Sequence, residues 1–284
     1  MDVSIMIEGQ DGLTWDRWKK IVEAVEDLGF AGLFRSDHFT NANPPDKESL
    51  ELWVSLTYLA DHTERIRFGQ LVSPVSFRHP IYLARQANAL NDLSGGRMIL
   101  GMGAGWQERE HTMFGFELGD IPTRMSRLSE ALEVASRLLA GDEPVDFEGR
   151  FFNLNSAVLL PAPVERPLLN VGGNGPQKTL PLVARYAQVW NGIYLTPEDF
   201  KARSSRLDEL LNKNGRSPEE VKRTMMIGYY PQVDDVRPNL LSGSPEKAAG
   251  QLQKFEDAGL QEVMVQWFDH DDIDGLKSFA AAVL

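Results

Sequence analysis

The chain has no cysteine, which excludes disulfides and thiol chemistry and suits a cytosolic protein. Positive charge is in short supply. Lys plus Arg total 29 against 41 Asp plus Glu, a formal net charge of −12. Nucleic acid and anionic membrane both want a basic face, so neither is expected as a partner. Any anionic cofactor must then be held by local donors, not by the overall field. No apolar run is long enough to span a bilayer, and Met1 leads through Asp2 into a short strand-like run with no basic n-region. Neither a membrane span nor a signal peptide is expected. Among the five histidines, His62 and His111 fall in polar stretches (DHTER, EREHT), and no His/carboxylate spacing predicts a metal. Internal repeats and low-complexity segments are absent as well.

What is present is ordinary globular material, 284 residues with 42% hydrophobic content. One domain over residues 1–284 is expected, because α/β barrels reach this size undivided. Short apolar runs alternate with helical periodicity. Residues 3–7 read as a buried strand. Thr14 is a good N-cap for a helix carrying Trp15, Trp18, Ile21, Val22, Val25 and Leu28, and Gly29 closes it. Residues 31–36 read as a second strand, and Leu52, Trp53, Leu56 and Leu59 mark a second helix. Further on, Met125, Leu128, Leu132, Ala135 and Leu139 give an amphipathic helix ended by Gly141. Residues 145–154 break the alternation as a hairpin turning near Glu148-Gly149, read as an insertion after the fourth helix. Residues 168–171, 189–193, 224–229 and 263–268 supply four more strands. Helices are expected over 179–187, from Thr196 through Asn214, after Ser244-Pro245 and over 273–284.

The stretch from Arg65 to Trp106 completes the pattern. Residues 66–73 read as a strand, His79-Pro80 opens a helix with Leu83, Ala84, Ala87 and Leu90 on one face, and Gly95-Gly96 ends it. Met98-Ile99-Leu100 starts a second strand that runs into Gly101, Gly103 and Gly105. Two glycine-bearing strand ends side by side are expected to make a flat floor for a planar ligand. Eight alternations predict an α/β fold, a (β/α)8 TIM barrel with an inserted hairpin.

In such barrels the active site lies at the C-terminal ends of the strands. Asp37-His38 follows the second strand. His38 can take or give a proton at a substrate oxygen, with Asp37 setting its tautomer or helping to hold a cofactor. The bland alternative is a loop histidine satisfied by a backbone carbonyl. Gly172-Gly173-Asn174-Gly175-Pro176 joins a strand to a helix, where outward N–H groups at a positive helix end admit an anion. Arg78, Lys178 and Arg185 are candidate local cations. Gly101-Met-Gly-Ala-Gly105 has the wrong spacing for a dinucleotide fingerprint. Asp269-His270-Asp271-Asp272 reads as a solvated acidic loop capping the last helix.

Two motifs, GQLVSPVSFRHP at 69–80 and SGGRMILGMGAGW at 94–106, resemble the luciferase-like monooxygenase superfamily, and within it the branch of coenzyme F420-dependent oxidoreductases. The similarity runs over most of the chain and is weakest from about Pro197 onward. It implies hydride transfer between F420 and a small-molecule substrate, and it is compatible with a homodimer. An FMN-dependent monooxygenase supplied by a separate reductase is the alternative cofactor reading, because a deazaflavin has carbon in place of the ring nitrogen through which flavins activate oxygen. A non-catalytic flavin-binding barrel is a third.

By the same resemblance, Ser36-Asp37-His38 matches the sequence that carries the catalytic histidine. A non-prolyl cis peptide is implied at or beside Leu71-Val72, with Ser73 ending that strand, bulging toward the back of the cofactor ring. Ala104 and Gly105 would present backbone to the cofactor, as would the loop at 172–175. Some F420-dependent sugar dehydrogenases carry an acidic proton donor next in line, where this chain has Trp106. That departure points away from a sugar phosphate and toward an aromatic or apolar substrate. Loops such as 39–47 and the insertion are the expected seat of specificity.

Overall fold

A computed structural model describes residues 1–234 and 237–284. Among these, eight parallel strands close on themselves. They are β1 (Asp2–Ile7), β2 (Gly32–Arg35), β3 (Arg67–Gln70), β4 (Met98–Gly103), β5 (Leu168–Gly172), β6 (Val189–Ile193), β7 (Lys222–Tyr230) and β8 (Glu262–Trp267). Each pairs with its neighbours in chain order, and β1 pairs with β8 to complete the ring. The surrounding helices are α1 (Trp15–Leu28), α2 (Leu52–His62), α3 (Pro80–Leu93), α4 (Ile121–Ala140), α5 (Thr179–Tyr186), α6 (Pro197–Lys213), α7 (Pro245–Asp257) and α8 (Ile273–Val283). This is the (β/α)8 TIM barrel that the alternation predicts.

Local chemistry sets the element ends. Thr14 accepts from Arg17 N at 3.4 Å at the start of α1, and Gly29, at φ 95, turns the chain out of it. Thr196 and Ser244 cap α6 and α7 in the same way, each followed by a proline in the first turn. Inside the ring, Met6, Phe34, Ile99, Val189 and Met264 fill the barrel. Outside it, Trp18, Val25, Leu56, Leu59 and Leu83 pack the helices onto the strands. Each such side chain contributes roughly 1.5–3 kcal/mol by leaving water.

Three features depart from the sequence reading. The strand expected over 66–73 stops at Gln70, just before the Leu71-Val72 peptide, which is cis where the resemblance implied such a bond. Ser73 and Pro74 then pair with Met102 and Gly103 on β4. A seven-residue helix, Glu108–Phe114, lies between β4 and α4 where no helix was expected. The helix α4 begins one turn earlier than its apolar stripe suggests, because Asp120 caps it by accepting from Thr123 N at 2.8 Å. The inserted hairpin follows α4, with strands Val145–Glu148 and Asn153–Ala157.

Candidate active site

At the C-terminal ends of the strands the barrel opens into a cavity of about 520 Å3. Its floor is set by the turn after β3. A Cβ on Gly103 would overlap Val72 Cγ2, and one on Gly172 would lie 3.2 Å from Val72 Cγ1. The glycines of β4 and β5 therefore make room for Val72. They are not a bare floor for a planar ligand, as the sequence suggested. Leu71 and Val72 themselves line the cavity and present its inner surface.

His38 stands on one wall, just past β2. Its Nδ1 lies 2.9 Å from Glu110 Oε1, and the other oxygen of Glu110 accepts from Phe39 N at 3.1 Å. Glu110 comes from the short helix after β4 and its side chain is only 1% exposed. A carboxylate only accepts, so Nδ1 carries the hydrogen and Nε2 is left as the acceptor. Gln107 Nε2, 3.3 Å from Nδ1, already donates to Thr40 O at 2.9 Å. Burial opposes the charged imidazole, but the hydrogen bond and charge of Glu110 outweigh it, and the His38 pKa lies above its ordinary value. Trp106 meets the imidazole edge-on, 5.5 Å between centroids, and lines the cavity with Ala104 and Gly105.

Residues 3–237 match the model of the luciferase-like monooxygenase family. The chain belongs to that family. An F420-dependent glucose-6-phosphate dehydrogenase of Microbacterium testaceum (strain StLB037) is 30% identical over 216 residues, covering 74% of this chain and 63% of that enzyme. A 5,10-methylenetetrahydromethanopterin reductase of Archaeoglobus fulgidus (strain ATCC 49558 / DSM 4304 / JCM 9628 / NBRC 100126 / VC-16) is 31% identical over 201 residues, covering 69% of this chain and 54% of that enzyme. The matched part thus spans less than two thirds of either relative. The fold also superposes on a solved F420-dependent secondary alcohol dehydrogenase in complex with an F420–acetone adduct, with a TM-score of 0.88, 20% identity and coverage of 100% and 99% of the two chains.

The other expected site residues of this luciferase-like chain fall into two groups. Asp37 is hydrogen-bonded to Arg78 and Ser73 and not to His38. Arg78 donates to it twice, at 2.9 and 2.8 Å, and Ser73 Oγ at 2.6 Å, so its carboxylate ties the ends of β2 and β3 together. The partner of the imidazole is Glu110, not Asp37. Arg78 is spent on this pair and on Glu51, and Arg185 reaches Glu133, so neither is a free cation.

Gly172 lines the cavity. Beyond it, Gly173 takes a φ of 126, and its N–H donates to Asn191 O at 2.9 Å. Asn174 spends its side chain on β6, accepting from Ile193 N at 2.9 Å and donating to Ile193 O at 2.7 Å. Among the described residues the amides of Asn174 and Gly175 donate to no protein acceptor.

Several cavity residues were not foreseen: Glu8, Gln10, Glu110, Asn191, Tyr194 and Gln266. His111, read as part of a polar stretch, is buried and bonded to Ser76 Oγ at 2.6 Å and to Gln107 O at 2.7 Å. His270 is also buried, while Asp272 beside it caps α8.

Proposed function

We propose that the chain is an F420-dependent oxidoreductase that moves a hydride between coenzyme F420 and an alcohol–carbonyl pair of a small organic substrate. The observation that carries this reading is His38, whose Nε2 is left as an acceptor because Glu110 holds Nδ1. For oxidation, the hydroxyl proton must leave as charge develops on the substrate oxygen, and an imidazole so held accepts it. For reduction, the same nitrogen returns the proton. Bound F420 supplies the hydride acceptor or donor.

The residues present fit such a group. The Leu71-Val72 turn offers an apolar face, the backbone at Ala104-Gly105 borders it, and the unpartnered amides of Asn174 and Gly175, in the loop that leads into α5, suit an anionic tail. Gly172, Gly173, Val72 and Ser73 shape that path, with Asp37 acting through Ser73 and Arg78. Trp106 forms the wall against which the substrate rests. A cytosolic location fits the absence of cysteine, and a homodimer is the assembly to look for by sedimentation. No helix among the described residues is long and apolar enough to cross a membrane.

Titration of the purified protein with F420 and with FMN, followed by fluorescence, tests the cofactor. F420 should bind at least roughly tenfold more tightly, about 1.4 kcal/mol. Equal affinities, or binding of FMN alone, would overturn the assignment in favour of an FMN-dependent monooxygenase.

A further inference from the structure

Besides His38 and Glu110 the cavity has a second polar wall, built where β1, β2, β6 and β8 end. Glu8 is at its centre. Gln266 Nε2 donates to Glu8 Oε1 at 2.5 Å, and Gln10 Nε2 donates to Oε2 at 2.7 Å. Both amides are held by hydroxyls in turn. Tyr194 donates its phenolic hydrogen to Gln266 Oε1, and Ser36 Oγ donates to Gln10 Oε1 at 2.6 Å while accepting from Gly9 N at 2.9 Å. Every hydrogen bond in this chain runs toward the Glu8 carboxylate. Glu8, Gln10, Ser36, Tyr194 and Gln266 all line the cavity.

The wall is set in place by more than side chains. Tyr194 has a φ of 50, in the left-handed region that a bulky residue enters only when its surroundings hold it, and its N–H donates to Met226 O at 3.0 Å. Burial, with Tyr230 and Glu8 nearby, pushes the Tyr194 phenol above its ordinary range, so it stays protonated and donates.

A carboxylate that takes one amide hydrogen on each oxygen still has lone pairs to offer, and it only accepts. A ligand that meets it must bring an N–H or O–H. Among the described residues no Lys or Arg lines the cavity, whereas two glutamates do, Glu8 and Glu110. An anionic substituent would be desolvated there beside like charge, with no Lys or Arg to answer it.

We propose that the Glu8 wall is a substrate subsite that selects an uncharged or cationic alcohol bearing a second hydrogen-bond donor, a hydroxyl or an ammonium, and rejects phosphorylated or carboxylated ones. It rests on the reading of the cavity as an F420-dependent hydride-transfer site, and it assigns the substrate class of that site.

One carbon skeleton tests it. Cyclohexanol and its 4-hydroxy, 4-amino and 4-phosphate derivatives are titrated calorimetrically into the whole chain, with and without saturating F420, in wild type, Glu8→Gln and Tyr194→Phe. F420 affinity and thermal midpoints are measured separately for all three. The hydroxy and amino probes should bind at least roughly tenfold more tightly than cyclohexanol, and the phosphate more weakly. Glu8→Gln should erase the preference, most completely for the amino probe, and Tyr194→Phe should reduce it in a protein that still melts cooperatively. Absence of preference in wild type, including absence of binding by every probe, overturns the proposal. So does tightest binding by the phosphate, or a preference that survives Glu8→Gln. Lost F420 affinity in Glu8→Gln with an unchanged probe preference would assign the carboxylate to the cofactor and also overturn it. Failure of wild type to bind F420 would instead sink the functional reading, and the titrations without cofactor would still decide the subsite.

Discussion

Glu110 Oε1 lies 2.9 Å from His38 Nδ1 across 72 residues of sequence. One oxygen of that carboxylate fixes the imidazole, and the other fixes the main chain at Phe39. Glu110 thus orients the ring and favours its charged form at once, so its removal should change both rate and pH dependence.

For alcohol oxidation the neutral imidazole is the working form, and kcat/KM should fall as pH drops through the His38 pKa. Glu110 holds that pKa above its ordinary value. Glu110→Gln should therefore move the acid limb of the profile to lower pH and reduce kcat about tenfold or more through lost orientation. An acid limb that stays in place would separate Glu110 from the titration of His38. The same pair bears on stability. A folded pKa above the unfolded one contributes stability that is fully present below about pH 6.5 and is lost as pH rises through the folded value. The difference in melting temperature between wild type and Glu110→Gln should accordingly be larger near about pH 5.5 than near about pH 8.

Asp37 answers to Arg78 in a different manner. Its side chain is 2% exposed and takes two hydrogen bonds from the guanidinium. Arg78→Met would leave a buried carboxylate with Ser73 alone, and breaking a buried pair from one side costs about 3–5 kcal/mol. Arg78 is 20% exposed, so the lower end is expected. Chemical denaturation should show this loss, with part of it restored when Asp37→Asn is added. Full stability in the single variant would mean that the pair does not hold the strand ends.

Glycine on β4 offers a comparison of two sites. Gly103→Ala would drive a methyl into Val72 Cγ2 and push the turn toward the cavity. A loss of about 1–3 kcal/mol in stability is expected, together with weaker F420 binding. Gly250, exposed in α7, has no heavy atom within 4 Å of the position a Cβ would take. Gly250→Ala should raise stability by about 0.5–1 kcal/mol and leave cofactor affinity alone. If both variants bind F420 as wild type does, the packing of Val72 over Gly103 does not shape the cofactor site.

Much of this barrel is legible in the sequence because its elements follow local rules. Apolar runs of strand length, stripes at helical spacing, and caps such as Thr14, Thr196 and Ser244 are short-range signals. The position of the Leu71-Val72 peptide is legible only through resemblance, as nothing in those two residues demands it. His38, Leu71, Val72, Ala104, Gly105, Trp106 and Gly172 were expected and do line the cavity, but the polar groups around them were not legible. Glu108–Phe114 (EREHTMF) carries charge of both signs and reads as solvated, yet its Glu110 and His111 are buried by partners far away in the chain. The Glu8 wall likewise joins residues from four strand ends through hydrogen bonds that no periodicity encodes. Val72 filling the space above Gly101, Gly103 and Gly172 is also tertiary, for a glycine in a strand signals close approach without saying what approaches.

The remaining prediction separates an enzyme from a barrel that only binds its cofactor. If His38 transfers the proton, its loss should slow hydride transfer while the cofactor stays bound. A positioned imidazole typically contributes 10²–10⁴-fold, on the order of 3–5 kcal/mol. His38→Ala should lower the single-turnover rate of F420 reduction by that factor and change F420 affinity by less than roughly tenfold. The reaction is followed at the oxidised chromophore with a substrate the wild type turns over. Should His38 serve only to contact the cofactor, affinity and rate would fall together. If instead it were structural, the loss of its bond to Glu110 would lower the melting temperature, and residual activity would track the folded fraction. A rate within about a factor of two of wild type would remove His38 from proton transfer, and the bond from Glu110 would then be a support for the loop at Phe39 alone.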